Sequence, residues 1–196
     1  MDTTAIALAR RGKTGAIADV HADAIRHVWK AKDGTEVLLR SIEPGDYDIE
    51  EAFVNGLSQS TRYKRLMSAR QPTSDEIHRW THIDRRREGA VIAVIVIDGI
   101  EREIGVARYA MEKGDRDAAE CAIVVSDAWQ RRGLGAQLLT ALIELARRSG
   151  LKRLYGTTLA ENEAMVGLAL RFGFQVSYHA DAGYVWDLSL ALTPLG

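Results

Sequence analysis

Cysteine is nearly absent from these 196 residues: Cys121 stands alone. No disulfide can form within the chain, and a cysteine-rich zinc site is excluded. Charge of one sign is missing too. The 26 Lys and Arg against 27 Asp and Glu leave a net charge of -1, which draws the chain neither to nucleic acid nor to an anionic membrane. The basic clusters Arg85-Arg86-Arg87 and Arg147-Arg148 have acidic neighbours and read as solvated faces. No apolar run approaches the roughly 20 residues of a membrane span; Ala90 to Ile97 is strand-sized. The N-terminus lacks the apolar stretch and cleavage site of a secretory signal. The expected location is therefore the cytoplasm. Three prolines mark no interdomain linker, and neither repeats nor low-complexity tracts occur.

What is present is ordinary for a globular domain: 46% hydrophobic and 27% charged residues. The chain divides into an Ala-rich extension over residues 1–30 and one domain over 31–196. Gly12-Lys13-Thr14 resembles the end of a phosphate loop, but that loop needs a glycine where Ala7 stands. His21 and His27 are too isolated to be metal ligands, and no metal is expected. Asp33-Gly34 is a turn signal, with a strand over 35–42 after it. Helices are expected from Pro44 to Gly56, over 58–67 and over 74–82. Strands follow at 90–97, 103–111 and 118–125, with Asp98-Gly99 as a hairpin turn. A long helix over 134–149, a strand over 153–159, a helix over 163–172 and strands near 175–180 and 184–190 complete the order. Hairpins followed by a βαβ crossover imply an α/β (mixed α+β) fold, with a mixed, mostly antiparallel sheet of six to seven strands and helices on both faces. Leu134, Leu138, Leu142 and Leu145 repeat at helical spacing as one apolar stripe, which is core.

The most specific stretch is Cys121 to Ala136. A β-branched strand runs into Gln130-Arg131-Arg132-Gly133-Leu134-Gly135, and the long helix opens from that turn. Glycines at 133 and 135 let backbone approach a phosphate closely. The N–H groups from Arg131 to Ala136, together with the helix dipole, make a pyrophosphate site, and the Arg131 and Arg132 guanidiniums add charge. Strand alternation sends Ala119, Cys121, Ile123 and Val125 to one face and Glu120, Ala122 and Val124 to the other. Cys121 reads as a small core side chain. Glu120, set in an apolar strand, is expected to face a cleft, where partial burial would suit it to act as a base; an exposed, inert strand-end Glu is the alternative. Asn162 is placed to cap the next helix.

On Gln130-Arg-Arg-Gly-Leu-Gly135, Asn162 and Arg171-Phe-Gly-Phe174, the chain resembles the GNAT superfamily of acetyl-CoA-dependent N-acetyltransferases. The resemblance covers roughly residues 33 to 190. Within that superfamily it looks most like the catalytic domain of bacterial protein-lysine acetyltransferases, on Asp33-Gly34-Thr35, Leu57-Ser58, Arg62-Tyr63, Ala119-Glu120, Trp129-Gln130 and Leu159-Ala-Glu-Asn162 followed by Met165. In that group the domain is often joined to a nucleotide-sensing or acyl-CoA synthetase-like region; with only residues 1–30 ahead of the domain, none is expected here.

The resemblance implies the GNAT fold, acetyl-CoA as co-substrate, and Glu120 as general base toward a primary amine. It implies an oxyanion donor among the backbone N–H groups of the strand, near Val124. Ile123, Val124, Val125, the turn Gln130 to Ala136 (Leu134 included), Asn162, Met165 and Phe172 are implied to hold coenzyme A. Many relatives place a Tyr seven residues after the Asn to protonate the leaving thiolate; here that position is Ala169, so either the thiolate leaves without that acid, Tyr178 or Tyr184 substitutes, or the domain is catalytically weak. The amine is a protein lysine, such as one on an acyl-CoA synthetase, or a small molecule met by residues 43–82, with Arg62 and Tyr63 as candidates. A non-catalytic acyl-CoA-binding module and a homodimer both stay open.

Overall fold

Alternation of apolar residues along successive strands builds one eight-stranded sheet, ordered β1-β2-β3-β4-β5-β6-β8-β7. The computed structural model describes residues 25–66, 70–179 and 183–193; Gly12-Lys13-Thr14 and His21 lie outside them. The strands are β1 (Arg26–Lys30), β2 (Glu36–Ser41), β3 (Glu88–Ile97), β4 (Ile100–Met111), β5 (Ala118–Val125), β6 (Arg153–Leu159), β7 (Gln175–Tyr178) and β8 (Val185–Ala191). The helices are α1 (Tyr47–Gly56), α2 (Gln59–Leu66), α3 (Ser74–Thr81), α4 (Leu134–Arg148) and α5 (Glu163–Arg171). One strand goes beyond the expected six to seven. Residues 26–30, read from sequence as the end of the extension, pair antiparallel with β2 as β1. The helix expected from Pro44 opens instead with a short 3-10 turn, Pro44–Asp46, before α1.

Two apolar clusters hold the layers together. On one face α4 and α5 lie over β2 to β6, with Leu134, Leu138 and Leu142 wholly buried. Burying each such side chain contributes about 1.5–3 kcal/mol. On the other face Phe53 and Val54 of α1, with Trp80 of α3, pack over Ile92, Val106 and Val124. The leucine stripe read from sequence is therefore core.

The sheet is antiparallel except between β5 and β6, which run parallel. That pairing covers only Ala118↔Arg153, Ala119↔Leu154 and Glu120↔Tyr155. Past it, β5 stays with β4 as far as Val125, and β6 stays with β8 as far as Leu159. Each strand follows its antiparallel partner, so β5 and β6 diverge. Gly156 lies at the apex of the divergence: a Cβ there would stand 2.7 Å from the Cys121 carbonyl oxygen. Only glycine permits that approach, because the obstacle is backbone. Gly156→Ala should lower stability by about 1–3 kcal/mol, as overpacking does. Thermal unfolding checks this against Gly45→Ala, whose Cβ would meet nothing within 4 Å.

Candidate active site

The turn after β5 is fixed from both sides. Asp127 accepts from the Ser58 N–H at 2.9 Å, the Ser58 Oγ at 2.7 Å and the Thr61 Oγ1 at 2.7 Å. Burial pushes its carboxyl up, but those bonds outweigh burial and hold it below the ordinary range. Gln130 Nε2 donates to Thr61 Oγ1 and to the Val125 carbonyl, both at 3.1 Å. Arg132 pairs with Asp33 and stacks over Trp129, 4.2 Å from the ring centroid. Arg131 and Gly133 take φ of 59° and 94°, so the chain turns left-handed twice before α4 begins. Among the described residues, the backbone N–H groups of Arg131 to Gly135 have no hydrogen-bond acceptor, and the first bonds back into the turn come from Ala136 and Gln137 to the Gly133 carbonyl. Free N–H groups at a helix N-terminus form an anion cradle. Leu134 is buried in the core, so only its N–H faces a ligand.

The divergence lies directly beside this cradle. Ile123 and Val125 are half-buried against the α4 face, and Val124 is buried on the α1 face, as alternation required. Ser126 N–H donates to the Ile104 carbonyl on β4 at 3.0 Å. Strand period two then turns the Val124 N–H toward β4 as well, and those of Ile123 and Val125 toward the gap. The acceptor of the Val124 N–H is a neighbouring strand, whereas Ile123 and Val125 have lost theirs.

On the α1 face two clefts adjoin. The first, enclosing about 340 Å³ with its solvent-facing part included, is lined by Glu50, Val54, Leu57, Arg62, Trp80, Val106, Arg108 and Val124. Five of these residues, Glu50, Val54, Leu57, Arg62 and Trp80, come from the 43–82 segment. Arg62 Nη1 donates to the Leu57 carbonyl at 2.8 Å, while Tyr63 is exposed. The second cleft, about 630 Å³, holds Glu120 and shares Trp80 and Arg108 with the first. Glu120 therefore faces a cleft but is exposed rather than partly buried. Its ladder neighbour Tyr155 donates to Glu112 Oε1 at 2.9 Å. Burial first, then that bond and the charges of Glu112 and Glu120, push the Tyr155 phenol up to about 12.

Asn162 stands at the N-cap position of α5 without a side-chain cap bond. Its Nδ2 donates to Thr158 Oγ1 at 3.3 Å instead, so the plain capping role is replaced. Met165 and Phe172 are half-buried against the α4 face. Ala169 is fully buried, and no acid stands on that turn of α5. Tyr178 and Tyr184 are both exposed. The Tyr184 carbonyl accepts from the Ala160 N–H at 2.9 Å, while Tyr178 packs edge-on against Trp186 in the outer strands. Sequence reasoning missed Glu50, Trp80, Glu103 and Arg108. The one signal was a pair of charges, Glu103 and Arg108, inside an apolar strand. Among the described residues no group of His, Cys, Asp and Glu is set to hold a metal, and no helix is long and apolar enough to cross a membrane.

Comparison with known proteins agrees with this geometry. The model of the Acetyltransferase (GNAT) family matches residues 53–174. An acetyltransferase of Pseudomonas aeruginosa is 34% identical over 165 residues, spanning 83% of this chain and 86% of its own. Acetyltransferase Pat of Mycolicibacterium smegmatis is 31% identical over 147 residues, which are 74% of this chain and 43% of that protein. The solved GNAT domain of S. lividans PAT shares the fold with a TM-score of 0.76 at 24% identity, covering 85% of this chain and 97% of that one. A strand that parts from its parallel neighbour beside an open helix N-terminus, a family model matched over most of the domain and a relative matched over 83% of this chain place the chain in the GNAT family of acetyltransferases.

Proposed function

We propose that this acetyltransferase moves acetyl from acetyl-CoA to a primary amine, that of a protein lysine, with Glu120 as general base. The gap between β5 and β6, set against five backbone N–H groups at the start of α4, carries the reading. The residues fit coenzyme A at both ends. The N–H groups of Arg131 to Gly135 take the pyrophosphate, with Arg131 adding charge. The pantetheine arm lies in the gap as a substitute strand on the free edge of β5. Ile123, Val125, Met165 and Phe172 supply its apolar wall, and Asn162 Oδ1 is left to accept from its amides. The N–H groups of Ile123 and Val125 face the thioester oxygen as it gains charge.

An ammonium has no lone pair, so a proton must leave before attack. Glu120 lies four residues before Val124, roughly 13 Å along the strand at about 3.3 Å per residue. It therefore takes the proton through water. The amine nitrogen then bonds to the carbonyl carbon and the carbon–sulfur bond breaks. The thiolate is a good leaving group and draws its proton from the nitrogen or from solvent, so a core Ala169 costs little. Similarity to the Pat group favours a lysine on a protein, an acyl-CoA synthetase being the type the resemblance implies.

Free-thiol release from acetyl-CoA, measured against lysine peptides, candidate acyl-CoA synthetases and small amines, tests the acceptor. Release with small amines alone would move the substrate to that class. Glu120→Gln should cut kcat by about 100-fold or more, the usual share of a general base, with coenzyme A affinity kept; unchanged turnover removes Glu120 from the mechanism. Gly133→Ala, forced to hold φ of 94°, should cost about 1–2 kcal/mol. Calorimetry should find coenzyme A bound about tenfold more weakly, since 1.4 kcal/mol is a factor of ten.

A further inference from the structure

Neither core packing nor the coenzyme A cradle accounts for one polar cluster buried beneath α1, formed by Glu50 of α1 with Glu103 and Arg108 of β4. Glu50 is 1% exposed and Glu103 6%. Glu50 Oε1 accepts from Arg108 Nη2 at 2.8 Å, and Arg108 Nη1 donates to the Trp80 carbonyl at 3.2 Å. Glu50 Oε2 and both oxygens of Glu103 accept from no described donor. A buried carboxylate without a partner is costly. The charge of Glu50 also bears on Glu103, and one proton between the two carboxyls would satisfy both.

The backbone aims Glu103 at this place. The β3–β4 register shifts between Ala93↔Gly105 and Val94↔Glu103, leaving Ile104 as an extra residue. Ile104 packs on the α4 face and Val106 on the α1 face. Without the bulge, Glu103 would point to the α4 side; with it, Glu103 shares the α1 side with Val106 and Arg108. Bulges of this kind re-aim a side chain near a site. Burial is the chief force pushing the Glu103 carboxyl well above its ordinary value, with the charge of Glu50 second. Arg108 acts the other way, while the bond to Glu50 and the charge of Asp46, before α1, also push it up. Arg40 of β2 is taken up by Asp46 and Glu101.

A structural role alone would be met by an amide at 103, which could donate to Glu50 without titrating. A titratable pair opening on the cleft that Val124 floors does more. We propose that Glu50 and Glu103 form a shared proton station for the acceptor, whose amine nitrogen sits in the cleft among Glu50, Trp80, Arg108 and Val124. This rests on the acetyltransfer reading and names the first proton acceptor within it. Glu50 meets the ammonium and Glu103 acts through Glu50, as a positioning residue.

In its fully deprotonated form the pair takes one proton from the ammonium. An N–H bond breaks, an O–H bond forms, and the nitrogen keeps the electron pair. That pair bonds to the thioester carbon, the carbon–sulfur bond breaks, and the second proton of the nitrogen neutralises the coenzyme A thiolate. The proton held between the carboxyls leaves through water past Arg108 to Glu120 in the adjoining cleft, and from there to solvent. Two carboxyls in unlike surroundings thus divide the work of one base.

The proton-bearing form of the pair is inactive, so kcat/KM should rise with pH through the raised value of Glu103. In Glu103→Gln that rising limb should move to lower pH by about one unit or more, and the plateau should fall because the shared proton station is lost. Coenzyme A affinity should not change. Glu120→Gln should lower the whole profile without moving the limb. Infrared difference spectra of the wild-type protein should show a protonated carboxyl that titrates above the usual carboxylate range and is missing in Glu103→Gln. Glu103→Asp should restore it in part. Turnover with an unmoved limb in Glu103→Gln, or a wild-type spectrum without that carboxyl, overturns the pair and leaves the acetyltransfer reading standing. No acceptor-dependent thiol release from the wild type overturns both.

Discussion

The parting of β5 from β6 after the Glu120↔Tyr155 pair is the constraint on which the rest of the molecule depends. Backbone N–H and C=O groups in a sheet are normally paired, so a strand leaves its neighbour only if something else holds it. Here β4 holds β5 from Ala119 to Val125 and β8 holds β6 along its whole length. Leu134 and Leu138 brace β4 from below, close to Gly105, where a Cβ would stand 2.9 Å from Leu138 Cδ1. Gly156 lets the two strands touch once, at the apex, before they separate. The open edge that results is an absence of pairing that a peptide-like pantetheine arm can fill.

The two sides of the site are mechanically linked. Ser58 and Thr61, at the start of α2, bind Asp127. Gln130 ties Thr61 to the last carbonyl of β5. The helices that wall the first cleft are thus bonded to the turn whose N–H groups stand free before α4. Hydrogen bonds from polar side chains at a surface contribute modestly one by one, about 0.5–1.5 kcal/mol each. Their joint effect is geometric: the cleft and the turn before α4 keep one spacing, and under the proposed reading that spacing sets the distance between amine and thioester.

Much of this was readable in the chain because the signals are local. The Gln130 to Gly135 run, the leucine stripe of α4 and the period-two alternation of β5 each depend on residues close in sequence, and each stands where it was expected. β1 was missed because Arg26–Lys30 alternates weakly, with His27 and Val28 both exposed, and exists as a strand only by pairing with β2. The direction of each N–H along β5 was hidden for a related reason. Alternation tells which side chains share a face, whereas N–H direction follows from register with β4. The partners of Glu103 were out of reach altogether. A bulge has no sequence signature here, and without it Glu103 reads as a residue of the opposite face.

The bulge and the buried acid belong to one problem, how to keep a base near an apolar reaction centre. A carboxylate at Glu120 is exposed and stays hydrated, four residues along β5 from Val124. A carboxylate placed against Val124 would be desolvated and, alone, costly. Pairing it with a second carboxyl that carries a proton, and with one guanidinium, makes burial tolerable: Glu50, Glu103 and Arg108 together carry no net charge when one proton is shared. An apolar floor, a neutral trio beside it and an exposed acid beyond form a graded path from dry to wet. In such a path each proton transfer crosses a small step in solvation, where a single exposed base would have to admit water to the thioester itself.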